Sequence, residues 1–361
     1  VNALAPEEYV SPTYLLTTVR AFLDSITYRM LADGLELQDV RAAERLTDWA
    51  DWGPHWNARA RMHEALGRAA LAKSYRLTAG EHLVRGALAA HYGQFLYFDF
   101  PEVKREGADL KVRLYRDAAP LLRPPAEPVA IPFRGDTLPG YLRVPEGQGP
   151  HPVVILLGGL DATKEDSHQF ANLCLARNLG TLAFDGPGQG ESLYRGHFLD
   201  PRFHEAISAA VDQLLERPDV KRDGVGILGR SLGGFFAPQA AALDDRIRAC
   251  VAWGALYDLG SFDRKPPLMR EGYRFVTGAS DWNDAKERTS FISLAPFASK
   301  IRCPLYIVHG LADNSVPRDN AERLAREAQG PVKLWLVPDS IHCNHDVANQ
   351  VRPDMADWLA E

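Results

Sequence analysis

Gly226-Ile-Leu-Gly229-Arg-Ser231-Leu-Gly233-Gly234 decides the reading of this chain. A short β-rich run ends at Gly229, a helical pattern begins at Leu232, and a serine stands on the turn between them. Gly229 to Gly233 spells G-x-S-x-G, and a strand before it with a helix after it is the context that this motif needs. A serine on so tight a turn takes strained backbone angles, and flanking glycines remove the side chains that would clash. The turn lifts the hydroxyl out of the sheet and aims the next helix's N-terminus at any oxyanion that develops there. An ordinary glycine-rich turn would need no partners downstream, and here partners follow.

A serine hydroxyl needs a base to act as a nucleophile, and the base needs an acid that holds its tautomer. In this architecture the chain order is Ser, then Asp or Glu, then His. Asp313 follows the strand-like run Pro-Leu-Tyr-Ile-Val-His309-Gly310, at the carboxyl end of a strand, where catalytic groups of an open α/β sheet belong. Asp319 is its competitor and reads better as a helix cap. His342, in Pro338-Asp-Ser-Ile-His342-Cys-Asn-His345 after the last strand, is the expected base, with His345 as the alternative and His309 as a structural residue. The cluster His342, Cys343, His345 suggests a metal only weakly, because no matching carboxylate–histidine motif accompanies it.

The second half of an oxyanion hole is expected in Leu157-Gly158-Gly159-Leu160-Asp161-Ala-Thr-Lys164-Glu165. Its two glycines permit close backbone approach, and the N–H of Leu160 or Asp161 pairs with that of Leu232 as the expected donors. Asp161 is the odd residue, since a carboxylate there opposes the developing charge. Either it turns away into a salt bridge or it handles substrate by hydrogen bonding or proton donation. Phe184-Asp185-Gly-Pro-Gly188-Gln-Gly190-Glu-Ser192 lacks the ending of a phosphate loop and reads as a structural turn.

Outward from these motifs, the chain changes texture near residue 128. Before it, Tyr14–Leu31, Gln38–Trp52, His55–Tyr75 and Glu81–Phe98 place apolar residues at helical spacing. Pro101 reads as a breaker or first-turn residue. Trp49, Trp52 and Trp56 read as a helix-packing core before a pocket wall. The proline-rich stretch from Arg123 to Phe133 reads as an extended linker entering a first strand. Beyond it, an edge strand at Pro139–Val144, the run Val153–Leu157 and later strand-like runs alternate with helical segments, which implies a mostly parallel, doubly wound sheet. The segment 255–300 interrupts that rhythm and is expected to form a lid or substrate wall, with Tyr257 and Trp282 as pocket candidates. The expected domains are 1–125, all helical, and 126–361, carrying the sheet.

The loop Gly158–Glu165, the turn Phe184–Ser192, Gly229–Gly234, His309–Pro317 and the late Ser340–His345 together resemble the α/β-hydrolase superfamily. With the helical N-terminal region, the whole chain is similar to the carbon–carbon bond hydrolases of nicotine breakdown and of fungal polyketide pathways. That resemblance implies an α/β-hydrolase fold behind an N-terminal all-helical domain, and cleavage of 1,3-dicarbonyl-like substrates. It places nucleophile, acid and base on Ser231, Asp313 and His342, and implies a homodimer formed through the N-terminal helices. In the nicotine-pathway branch it implies a glutamate at the position of Asp161, so this chain departs there by one methylene.

Composition narrows the classes. With 46% apolar and 24% charged residues the chain can bury a sizeable core, which argues against wholesale disorder. A net charge of −6 without a basic block argues against nucleic acid and a membrane surface as partners. Cys174, Cys250, Cys303 and Cys343 form no CxxC pair and suit a reducing cytoplasm. The opening Val-Asn-Ala-Leu-Ala-Pro lacks the pattern of a signal peptide. No cofactor motif is present, and acyl-enzyme chemistry needs none. The expectation is therefore a serine hydrolase of a small ketonic substrate. An esterase or amidase with the same triad is the alternative, and a non-catalytic binding protein on this fold is a third class.

Overall fold

The computed structural model describes residues 19–361. The opening of the chain and the start of the helix expected over Tyr14–Leu31 lie outside the described residues. The chain divides into two compact units. One runs to Ala126 and includes Ser261–Arg288; the other is Glu127–Gly260 with Thr289–Glu361.

The first unit begins with α1 (Val19–Ala32), α2 (Leu37–Ala43), α3 (Trp52–Ala72), α4 (Arg76–Gln94) and α5 (Pro101–Ala118). The single helix expected over Gln38–Trp52 is divided. Helix α2 stops at Ala43, and the Asp48 carboxylate accepts the Ala50 N–H at 2.9 Å to start a short 3-10 turn that feeds α3. The tryptophans are a packing core: Trp52 and Trp56 are fully buried, Phe22 meets Trp49 and Trp52 edge-on at 4.9 and 5.1 Å, and the Trp52 indole N–H donates to the Tyr92 carbonyl at 2.9 Å.

Helix α5 has no counterpart among the expected helices. Pro101 stands in its first turn, where the missing N–H would lack an intrahelical partner anyway. Its buried face carries Lys104 and Lys111, which break the apolar period. Lys104 is accommodated because its ammonium donates to the Gln94 carbonyl at 2.7 Å and to Gln94 Oε1 at 3.0 Å, over the Phe98 ring.

The second unit is built on an eight-stranded sheet: β1 (Glu127–Phe133), β2 (Asp136–Arg143), β3 (His151–Leu157), β4 (Gly180–Phe184), β5 (Val220–Arg230), β6 (Ile247–Trp253), β7 (Leu305–Gly310) and β8 (Val332–Val337), in the order β1-β2-β4-β3-β5-β6-β7-β8. Only β1–β2 and β2–β4 pair antiparallel. The segment expected as an edge strand, Pro139–Val144, overlaps β2, which is second in the sheet because the end of the proline-rich stretch forms β1 outside it. Proline is tolerated there because an edge strand leaves one row of N–H positions unpaired.

Around the sheet run α6 (His168–Leu175), α7 (Gly190–Tyr194), α8 (Phe203–Leu215) and α9 (Gly233–Leu243). After β6 the chain passes through α10 (Pro267–Thr277) and α11 (Trp282–Arg288), which belong to the first unit, and returns to β7, α12 (Asp319–Glu327), β8 and α13 (Ala348–Ala360). Central strands are buried on both faces, as parallel strands between helices must be. Val154, Leu156, Leu228, Val251, Trp253, Tyr306 and Val308 join one core cluster with Phe170 and Cys174 of α6 and Val351 and Met355 of α13. Each large side chain so buried contributes roughly 1.5–3 kcal/mol.

The sharp passage from β5 into α9 depends on glycine. A methyl on Gly229 would collide with the Gly233 carbonyl, whereas one on Gly226, in the same strand, meets nothing nearer than 3.5 Å. Gly229→Ala is therefore expected to cost about 3 kcal/mol or more. Gly226→Ala should leave the urea midpoint nearly unchanged, and the paired midpoints check the difference.

Candidate active site

Ser231 takes a left-handed conformation at φ +57°, which only a locally enforced turn sustains for a residue with a Cβ. Two hydrogen bonds enforce it: its N–H donates to the Trp253 carbonyl at the end of β6 at 2.8 Å, and its carbonyl accepts from Gly234 at 2.8 Å. Leu232 caps α9, and its carbonyl accepts the Phe235 N–H at 3.0 Å, so the positive end of the helix lies at this turn.

The His342 ring bridges the other two sequence-predicted residues. Its Nε2 lies 2.9 Å from Ser231 Oγ and its Nδ1 2.6 Å from Asp313 Oδ2. Asp313 Oδ1 accepts the N–H groups of Ser315 and Val316, both at 2.8 Å, so the carboxylate is held from both sides and sealed from solvent. Burial opposes its ionisation, but the His342 hydrogen bond and these two N–H groups more than offset that and hold its pKa below the usual range. Burial also opposes charge on His342, but the adjacent Cys343 and the Asp313 carboxylate outweigh it and hold the ring's pKa above the ordinary histidine value.

The loop carrying His342 is unusual: Cys343 and Asn344 both stand at positive φ, 55° and 50°. Asn344 is fully buried and pins that loop, accepting the Trp253 indole N–H at 3.2 Å and donating to Ser340 Oγ at 2.9 Å. Trp253 thus holds Ser231 with its carbonyl and the histidine loop with its ring. The alternative base, His345, lies against the Trp253 ring, with Nδ1 3.3 Å from an Arg352 nitrogen. His309 donates to the Val316 carbonyl at 3.0 Å behind Asp313, in keeping with a structural residue.

The Gly158–Glu165 loop passes directly beside the serine. A methyl placed on Gly159 would stand 3.0 Å from Ser231 Cβ and 3.4 Å from Oγ. The loop turns back where Ala162 N donates to the Gly159 carbonyl at 3.2 Å, with Leu160 and Asp161 at the corner and Asp161 buried at φ +55°. At its end, Lys164 is buried among Asp185, Glu191 and Glu165, its ammonium 2.7, 2.6 and 2.8 Å from their carboxylates. Burial opposes that charge, and the three carboxylates outweigh it, so the lysine stays protonated. Glu165, Asp185 and Glu191 have the spacing of a metal-binding group, and the Lys164 ammonium sits among them.

Tyr257 is buried, with its hydroxyl donating to Glu327 and the Arg323 guanidinium 4.0 Å from its ring centre. Trp282 belongs to the other unit, where its indole N–H donates to Glu271 at 3.1 Å and Arg270 lies over its ring at 4.0 Å.

The model of the FrsA-like esterase family matches residues 37–273, and that of the prolyl oligopeptidase family residues 200–361. The 2,6-dihydropseudooxynicotine hydrolase of Paenarthrobacter nicotinovorans is 38% identical over 92% of this chain and 90% of its own length. The chain belongs to the FrsA-like esterase family of α/β-hydrolases. It is a hydrolase, as these matches share. A crystal structure of the 2,6-dihydroxy-pseudo-oxynicotine hydrolase superposes with a TM-score of 0.87 over 92% of this chain and 94% of that one. An α/β-hydrolase of Aspergillus fumigatus is 32% identical over 72% of this chain, which spans 64% of that relative. AbyA5, 16% identical with a TM-score of 0.70, shares the fold.

Within this FrsA-like chain, sequence reasoning passed over Asn344, Lys164 and Gln189, each of which has at least one partner far along the chain. The one available signal was Asp185 at a strand end with a lysine in the neighbouring loop.

The two shifted groups set a pH window. The depressed Asp313 pKa stabilises the fold above its unfolded value and is lost as pH falls through the folded one; the raised His342 pKa stabilises below about 6.5 and is lost as pH rises through its folded value. The loss of stability on Asp313→Asn is therefore expected to be largest between about pH 4 and 6.5 and to shrink toward both extremes, read from urea midpoints across pH.

Proposed function

We propose that this chain is a serine hydrolase that cleaves a carbon–carbon bond of a 1,3-dicarbonyl-like or vinylogous small ketone through an acyl-enzyme on Ser231. The observation that carries the proposal is the continuous hydrogen-bonded line Ser231–His342–Asp313 at a left-handed turn. Ser231 Oγ adds to the ketone carbon while His342 Nε2 takes its proton, and Asp313 stabilises the imidazolium. The oxyanion is received by the Leu232 N–H and an N–H of the Gly159–Asp161 corner. Collapse breaks the carbon–carbon bond; its electron pair leaves as an enolate, which takes the proton that His342 received from Ser231, directly or relayed through Asp161, and so returns His342 to its neutral form. Water, deprotonated by His342, then releases the acid and restores Ser231.

The identity to the pseudooxynicotine hydrolase supports the carbon–carbon reading. The match to an esterase family supports a second one, an ester, lactone or amide substrate with the same triad. The four cysteines are free, which suits a cytoplasmic protein. The exposed Tyr28, Leu31, Leu66, Leu71, Tyr75 and Leu77 of the helical unit support a homodimer, for which light scattering should return twice the chain's mass.

Ser231→Ala is expected to lower kcat by about 1,000-fold or more on any accepted substrate. Product masses from an aryl 1,3-diketone and a short-chain aryl ester separate the two readings: acid plus methyl ketone from the diketone favours the first, and ester turnover alone the second. Asp161→Ala is expected to abolish diketone cleavage selectively; equal loss on both substrates speaks against a leaving-group role for Asp161.

A further inference from the structure

The turn Phe184–Ser192, which the sequence suggests is merely structural, holds both ends of the loop beside Ser231. At one end, Asp185 Oδ1 accepts the Lys164 backbone N–H at 2.8 Å and Oδ2 accepts its ammonium at 2.7 Å. At the other, Gln189 Nε2 donates to the Gly158 carbonyl at 3.0 Å and stands 3.5 Å from that of Gly159. The Gln189 side chain is buried and its amide is oriented, because Oε1 accepts the Gly186 N–H at 3.1 Å. The NH2 group must therefore face the two carbonyls.

We propose that Gln189 is the positioning residue of the oxyanion hole. In a trans peptide the C=O and the following N–H point in opposite directions. The peptide that presents the Gly158 carbonyl also carries the Gly159 N–H, and the one that presents the Gly159 carbonyl carries the Leu160 N–H. With the first carbonyl drawn to Gln189 and the second held by Gln189 and Ala162 N, both N–H groups are turned to the opposite side of the loop. Gly159 packs on Ser231 with no room for more than a tight methyl. A donor turned away from Gln189 here is thus a donor beside the nucleophile. Gln189 touches neither substrate nor reacting atoms; it acts by fixing which way two peptides face. A glutamate in its place keeps the Gly186 contact, loses the donor and sets a carboxylate against two carbonyl oxygens.

This inference rests on Ser231 being the nucleophile, and the experiment separates the two. Turnover of p-nitrophenyl acetate and inhibition by phenyl trifluoromethyl ketone, which a serine attacks to form a tetrahedral adduct, are compared for wild type, Gln189→Glu, Gln189→Ala and Ser231→Ala. Both Gln189 variants are expected to lose about 10- to 100-fold in kcat and similarly in affinity for the ketone, with KM changed by less than about 3-fold. A thermal midpoint near wild type, expected at least for the uncharged Gln189→Ala, rules out a general loss of fold. Unchanged kcat and ketone affinity, or a loss carried by KM and thermal stability alone, overturns the role of Gln189 while Ser231→Ala remains inactive. Retained turnover in Ser231→Ala overturns the nucleophile and this inference with it.

Discussion

A serine held left-handed between two strand ends is the constraint on which the rest of the site depends. Such a conformation costs about 1–3 kcal/mol for a residue with a side chain, and the neighbours that enforce it are all backbone. The Trp253 carbonyl takes the Ser231 N–H from β6. The Leu157 and Gly158 carbonyls, at the end of β3, press so closely on Gly233 that a methyl there would overlap them. Because β5 lies between β3 and β6 in the sheet, the strand on each side contributes one wall of the turn. The parallel order is therefore what brings the loop after β3 and the anchoring carbonyl to one serine.

Charge is used at this end of the sheet for orientation more than for net stability. A buried ion pair recovers its desolvation cost only with good geometry and further hydrogen bonds. Asp313 meets that condition with two backbone N–H groups on one oxygen and His342 on the other. Lys164 meets it with three carboxylates, one of which, Asp185, also takes the backbone N–H groups of Lys164 and Glu191. Each arrangement fixes a loop: the first holds the tautomer and tilt of His342, and the second ties the loop beside Ser231 to the turn after β4.

The sheet was legible because its central strands are continuous apolar runs between glycines, and the meeting of Ser231, His342 and Asp313 because their chain order follows from the fold. The helical region was less so. Helix α5 escaped because its buried face carries Lys104 and Lys111, whose ammonium groups need acceptors that periodicity does not reveal. The Gln38–Trp52 pattern kept helical spacing across a break that one capping aspartate, Asp48, imposes. Gln189 escaped for another reason. It bonds backbone carbonyls thirty residues away, and no side-chain pattern marks a carbonyl as an acceptor.

Ester and carbon–carbon cleavage share every group as far as the tetrahedral adduct, so the triad cannot choose between them. They part at the leaving group. An alkoxide departs readily with a proton from the imidazolium, whereas a carbanion departs only as an enolate and must then be protonated on carbon. The group that selects for the second reaction therefore belongs beside the leaving carbon. Asp161 is buried at the corner of the loop that packs on Ser231. Under the carbon–carbon reading proposed above, Asp161 is the side chain of that loop to which the leaving-group role would fall, and its short reach would then restrict how far from Ser231 the cleaved bond can lie.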